Sequence, residues 1–316
     1  MSFDLASHGQ RYLPEYPPDD NSDHLPMAWL ALTALGASQA RREAFASAYL
    51  PRLTTLAPDH PYARRVQALT AETAATGIPA VLDRYLPQWI SGWHKEAYHP
   101  LIRIGYGVEF GVPGEVAAGL AYLESVGADQ TLDALTRSIR HERNLDGEAL
   151  LLRARALGPV PGSPNDRFSR RADAALSLPG MAALAVVTDD HLRTMSRAAL
   201  MVFAGSHDFF ALHLVTASHA FRLLYPYLQP RLGPRTDVVF TVGLLAGYLA
   251  AGAPAPAPWP GPDVAPPPTS PELLALCRDD EHDIKLAHAA GAHADHWRDP
   301  AFRHVARSYL GRRQDV

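Results

Sequence analysis

The chain has 316 residues, 47% hydrophobic and 20% charged, which supplies a sizeable core and excludes a largely disordered protein. Its formal charge is −4 and it has no basic block, so it carries no footprint for nucleic acid. The lone cysteine, Cys277, excludes an internal disulfide framework, reads as a small buried hydrophobe and fits a reducing, cytoplasmic setting.

Residues 1–20 are polar and proline-bearing, without the basic-then-apolar order of a secretory signal, and read as an arm laid over the surface. Asn21, Ser22 or Asp23 is placed to cap a helix through His24-Leu25-Pro26 to Leu32. Pro26 falls in its first turn and Gly36 marks its end. His24 stands at that helix start, where surface or capping use is the commoner outcome. Helices are expected over 39–56, 61–76 and 79–93, the last kinked or ended by Pro87.

His99 then opens an apolar segment, with Pro100 in the first turn. Gly105 and Gly107 suit close helix packing and do not form a dinucleotide fingerprint. A helical hairpin is expected over 113–126 and 129–143, with further helices over 147–157, 166–178 and 189–204. No alternating strand pattern of useful length and no internal repeat occurs.

A long helix follows residue 206. Its His207, His213 and His219 are six residues apart, roughly 600° of rotation at each step, so they share no face. His213 lies deepest in the apolar run and by itself reads as a buried, hydrogen-bonded histidine. Residues 233–252 read as a fully buried helix, since Val238 to Ala253 is shorter than the ~20 residues of a membrane span. Residues 254–271 carry nine prolines and form an extended connector. Too little chain remains to fold alone, so the C-terminal helices are expected to dock on the same core.

Asp279 or Asp280 caps the next helix. His282 and Lys285 stand three residues apart on one face of it. The lysine is either a solvated side chain or turned inward to a metal. A last helix spans 299–312 and becomes basic towards its end. The expected fold is all-α: a single compact multi-helix domain over 1–316, with the arm at 1–20 and the Pro-rich connector at 254–271.

No Walker, Rossmann, nucleophile-elbow or His-Glu-x-x-His motif is present, and Ser206-His207-Asp208 is weak evidence for a triad. Histidines at separate helix starts are the remaining organised feature. Imidazoles drawn from several helices are a known way to build a metal site.

Asp23-His24-Leu25-Pro26-Met27-Ala28, His99-Pro100-Leu101-Ile102-Arg103-Ile104-Gly105-Tyr106-Gly107-Val108-Glu109-Phe110, the segment 209–224 and His282-x-x-Lys285 occur in an order that resembles the questin oxidase-like family, including its shorter bacterial members. The family's fungal enzymes tailor polyketides by oxygen insertion or ring opening of anthraquinones. The resemblance implies a mononuclear non-haem iron in an all-helical fold. The implied ligands are His24, His99, His213, His282 and Lys285, the lysine carboxylated by carbon dioxide. An ammonium has no lone pair, whereas a carbamate is an anionic oxygen donor. An octahedral ion so held keeps one position for dioxygen or substrate if the carbamate binds through one oxygen.

Relatives are expected to carry a histidine where Arg103 stands. Arg103 either faces the cavity to select an acidic or phenolate substrate, or bridges to Glu109 or another acid. Arg103 and Tyr106 are the candidate catalytic side chains. Tyr106, Glu109, Asp208 and Asp283 are candidate partners for ligand N–H groups, and His219 is the reserve for His213. The implied activity is a metal-dependent oxygenase of an aromatic polyketide-like substrate, ring-cleaving or of the Baeyer–Villiger type. Its partners are a small aromatic molecule and dioxygen, with no nucleic acid and no membrane. No flavin or nicotinamide motif occurs, so any reductant is external or is the substrate. The alternatives are a non-enzymatic helical binding protein with a structural metal or hydrophobic pocket, and a hydrolase with two metals.

Overall fold

The computed structural model describes residues 3–18, 21–163, 165–259 and 266–314. Among these, sixteen α-helices and four two-residue strands make an all-α protein, as the sequence predicts. No described helix is long and apolar enough to cross a membrane. The helices gather into two compact units: residues 1–81, 101–122 and 261–316, and residues 82–100 and 123–260.

The first unit holds α1 (His8–Arg11), α2 (Leu25–Ala34), α3 (Gln39–Tyr49), α4 (Pro61–Thr76) and the first turn of α5 (Ile78–Trp89). It takes most of α6 (His99–Glu109) and α7 (Pro113–Val126), and closes with α14 (Ser270–Leu276), α15 (Glu281–Trp297) and α16 (Ala301–Gln314). Helix α15 packs on α2, α14 and α16, so the C-terminal helices dock back on the N-terminal ones. Gly107 brings α6 close to α7, because a Cβ there would lie 2.6 Å from the Val116 nitrogen.

Two expectations shift in this unit. Helix α3 stops at Tyr49 and gives way to a 3₁₀ turn, Leu50–Arg52, where Pro51 lacks an N–H to continue the ladder. The N-terminal arm is not merely superficial. His8 is 1% exposed against Asp23, and Glu15–Tyr16 (β1) pairs antiparallel with Asn21–Ser22 (β2). Residues 1–2 and 19–20 of the arm, and 260–265 of the connector, lie outside the described residues.

The second unit is built on α13 (Arg235–Ala250), in which every residue from Thr236 to Ala250 is buried. Packed on it are α8 (Gln130–Leu135), α9 (Gly147–Arg155), α10 (Phe168–Leu176), α11 (His191–Ser206) and α12 (Phe209–Leu232). Helix α8 is shorter than the sequence predicts, because Arg140–His141 (β3) leaves it to pair in parallel with Val186–Val187 (β4). Trp93 and Tyr98 seat against Gly243 and Gly247, where any Cβ would collide with their rings. Trp93 Nε1 donates to the Val239 carbonyl at 3.2 Å, and the Tyr98 hydroxyl to the Gly243 carbonyl at 3.0 Å.

His191 ties α11 to α13. Its Nδ1 accepts from the Thr188 N–H at 3.2 Å and its Nε2–H donates to the Asp237 carbonyl at 3.0 Å, which fixes a neutral ring. Burial pushes its pKa down to about 4, against a rise from the Asp237 carbonyl. The unfolded chain takes up this proton near pH ~6.5. This group's contribution is therefore whole above ~6.5 and drains as pH falls towards about 4, by roughly 3 kcal/mol. Urea midpoints should drop over that window in the wild type and less in His191→Gln. Equal drops in both would assign the acid lability elsewhere.

Candidate metal centre

In the first unit the centre begins at the cap of α15. Asp280 Oδ1 accepts the His282 backbone N–H at 2.8 Å and lies 3.3 Å from His282 Nδ1, so one carboxylate starts the helix and holds the ring. Burial would raise the Asp280 pKa, but the hydrogen bonds from His282 and the Arg313 charge carry it well below the usual range. His282 meets His24 with ring centroids 4.5 Å apart at 62°.

One turn along α15, Lys285 is fully buried, with Nζ 2.6 Å from His24 Nδ1. Burial pushes the lysine down to about 7, and the upward pull of Glu281 and Asp280 is smaller. Near neutral pH a large share of this side chain is therefore a neutral amine with a lone pair.

Two networks hold His24. Its backbone N–H donates to the Tyr49 hydroxyl at 3.1 Å, and Tyr49 meets the Tyr16 hydroxyl at 3.2 Å. Arg52 donates to Tyr16 and Glu281 at 2.7 and 3.3 Å. On the other side, Asp23 Oδ1 accepts the Leu25 N–H at 3.1 Å, and its Oδ2 meets His8 Nε2 at 2.6 Å.

In the second unit the arrangement is tighter. His99 Nδ1 donates to the Glu96 carbonyl at 2.5 Å, and His213 Nδ1 donates to the Phe209 carbonyl at 2.8 Å. A carbonyl only accepts, so each Nδ1 carries the proton and a neutral ring keeps a lone pair at Nε2. The two Nε2 atoms face one another at 3.1 Å. Two lone pairs at that distance repel unless a cation, a proton or a metal ion, lies against both. Cis imidazoles on a first-row divalent ion, with bonds of about 2.1 Å at a right angle, stand about 3.0 Å apart. The His99–His213 pair thus fits a transition metal.

The questin oxidase-like family profile matches residues 21–290. The chain belongs to this family. No curated protein matches it. Membership implies an oxidoreductase, and the family suggests an oxidase of aromatic polyketides.

In this questin oxidase-like chain the other candidate residues have other tasks. Arg103 is 1% exposed and donates through Nε and Nη2 to Glu115 at 2.8 and 3.2 Å, with Asp23 at 3.7 Å. Its bridge therefore goes to Glu115 and Asp23, not to Glu109. Burial would lower its pKa, and Glu115 more than restores it. His219 Nδ1 accepts from Arg222 at 3.1 Å. Asp208 caps α12 through the Phe210 and Ala211 N–H groups, and Asp283 pairs with Arg313 at 3.0 Å.

Tyr106 and Glu109 do serve a histidine, but it is His288. The Tyr106 hydroxyl donates to His288 Nδ1 at 3.1 Å, and Glu109 lies 3.5 Å from Nε2. Burial, with Glu109 adding to it, raises Tyr106 well above the usual phenol range. Sequence reasoning missed this role, although His288 repeats the step from His282 to Lys285, a drift of only ~60° per three residues. It also missed His94, which is buried with Nε2 3.0 Å from Asp173 and 3.8 Å from Asp129. His94 Nδ1 has no partner, whereas a metal-bound ring anchors that nitrogen, so this group reads as a hydrogen-bonded pair rather than a metal site.

Arg103→Met should cost about 3–5 kcal/mol of folding stability in urea titrations, because it strands Glu115 as a buried charge. Unchanged stability with selective loss of substrate binding would return Arg103 to a substrate-facing role.

Proposed function

We propose that this questin oxidase-like protein is a non-haem iron oxygenase that inserts oxygen into, or cleaves a ring of, a small aromatic polyketide-like substrate. The observation that carries the reading is the His99–His213 pair, with both Nδ1 protons placed on carbonyls and both Nε2 atoms 3.1 Å apart. The proposed ligand set adds His24, His282 and Lys285, the remaining residues of the family resemblance. Iron so held would supply the one-electron chemistry that dioxygen needs to react with a closed-shell molecule. Electrons come from the substrate or an external reductant.

The chain's own part is to present donors of fixed tautomer and to supply one anionic ligand. Neutral Lys285 adds carbon dioxide: a nitrogen–carbon bond forms, an N–H proton leaves, and a carbamate oxygen becomes the donor. The proton passes to bulk base, because His24, whose Nδ1 lies 2.6 Å from Nζ, must stay neutral to serve as a ligand. Four neutral imidazoles and one carbamate leave the charge of a divalent ion only partly neutralised, which favours a phenolate-bearing substrate.

Protein purified without chelator should contain near-stoichiometric iron, lost in His282→Ala, Lys285→Ala and His99→Ala. Stoichiometric zinc would favour a structural site in a binding protein. No metal even after anaerobic iron loading would sink the centre. Growth on ¹³C-bicarbonate should give a carbamate carbon resonance that is absent from Lys285→Met, and its absence from the wild type would remove the fifth ligand.

A further inference from the structure

Helix α15 opens with Asp280-Glu281-His282-Asp283, three acids around a candidate ligand. Asp280 and Asp283 stand three residues apart on one face of the first turn, and Asp283 is fully buried. Two carboxylates so placed repel, and a buried one calls for a counter-charge. The counter-charge comes from α16, thirty residues along the chain. The Arg313 fork donates through Nη1 to Asp283 Oδ1 at 3.0 Å and through Nη2 to Asp280 Oδ2 at 3.1 Å.

The guanidinium is itself held in place. Nη1 also donates to the Tyr309 hydroxyl, one turn back on α16, at 2.8 Å. Gln314 ties the end of that helix to the Ala275 carbonyl of α14 at 3.3 Å. The two oxygens of Asp280 then have separate tasks. Oδ1 accepts the His282 backbone N–H at 2.8 Å and lies 3.3 Å from His282 Nδ1, while Oδ2 is taken by Arg313. A carboxylate held at one oxygen pivots about its Cβ–Cγ bond. Held at both, its plane is fixed, and with it the direction from which Oδ1 faces the ring.

We propose that Arg313 is a positioning residue for His282, acting through Asp280 to fix the tautomer and the aim of that ring. The inference rests on the reading of His282 as a metal ligand. Asp283 is the second point of the fork and sets where the guanidinium sits. A lysine in place of Arg313 keeps the charge but lacks the planar fork that spans two carboxylates at once.

Iron(II) affinity of the full-length protein would be measured by competition with a chelator, beside urea midpoints. Arg313→Ala should weaken it about tenfold. Arg307→Ala, at an exposed position on the same helix, should leave it unchanged. Because Arg313→Ala also strands Asp283, a double variant with Asp283→Asn removes that buried charge. Its urea midpoint should recover while its iron affinity stays about tenfold weaker. Wild-type affinity in either variant reduces Arg313 to a stabiliser of the fold and overturns the proposal. The ring can also be read without metal. In apo-protein labelled with ¹⁵N-histidine, the His282 signals, identified by their loss in His282→Gln, should report Nδ1–H alone in the wild type and both tautomers in the double variant. One and the same tautomer in both overturns the proposal. A wild type that takes up no metal tells against the iron reading, and the ring spectra then decide on Arg313 by themselves.

Discussion

An imidazole can offer a lone pair at one nitrogen only if its other nitrogen has somewhere to place a proton. The architecture around the candidate ligands answers that need locally. His99 reaches back three residues to the Glu96 carbonyl and His213 four residues to the Phe209 carbonyl, while His282 uses the carboxylate that caps its own helix. Each partner lies within one turn of the ring it serves. The aim of each ring therefore follows from the local backbone, and each ligand-bearing helix need only be seated correctly. Lysine has no second nitrogen, and burial does the equivalent work by withdrawing its proton.

The second requirement is that buried charges be paired. Asp23, Arg103, Glu115 and His8 form a connected group in the first unit, all 2% exposed or less. Burial would raise the Asp23 pKa, but the contacts with His8 and Arg103 hold it below the usual range. The group anchors the start of α2 because Asp23 also caps Leu25, the residue after His24. In this way the N-terminal arm, through His8, belongs to the support of the centre.

Helices are legible in the sequence where proline, glycine and apolar spacing agree. α4 and α7 begin at Pro61 and Pro113, where the prolines place them, and α13 is the buried helix that its composition demands. Long-range pairing is not legible. β3 draws its residues from the expected second arm of a hairpin because β4 lies beside it, and no local pattern reports that. At the centre, the cap at Asp280 and the shared face of His282 and Lys285 are visible as spacing. The Nδ1 partners are not, since a carbonyl has no letter in the sequence. Arg103 can be read two ways because Glu115, its partner, lies on another helix.

The turn before His99 has a consequence for the order of events. Glu96, Ala97 and Tyr98 all adopt left-handed φ values of 47°, 49° and 68°, without a glycine among them. Such residues cost of order 1–3 kcal/mol each and persist only where their surroundings over-determine them. Here those surroundings are the seats of Trp93 and Tyr98 on α13. The aim of the His99 ring therefore rests on that docking. A metal held by this pair would then follow packing, the reverse of a zinc finger, whose ion drives the chain to fold.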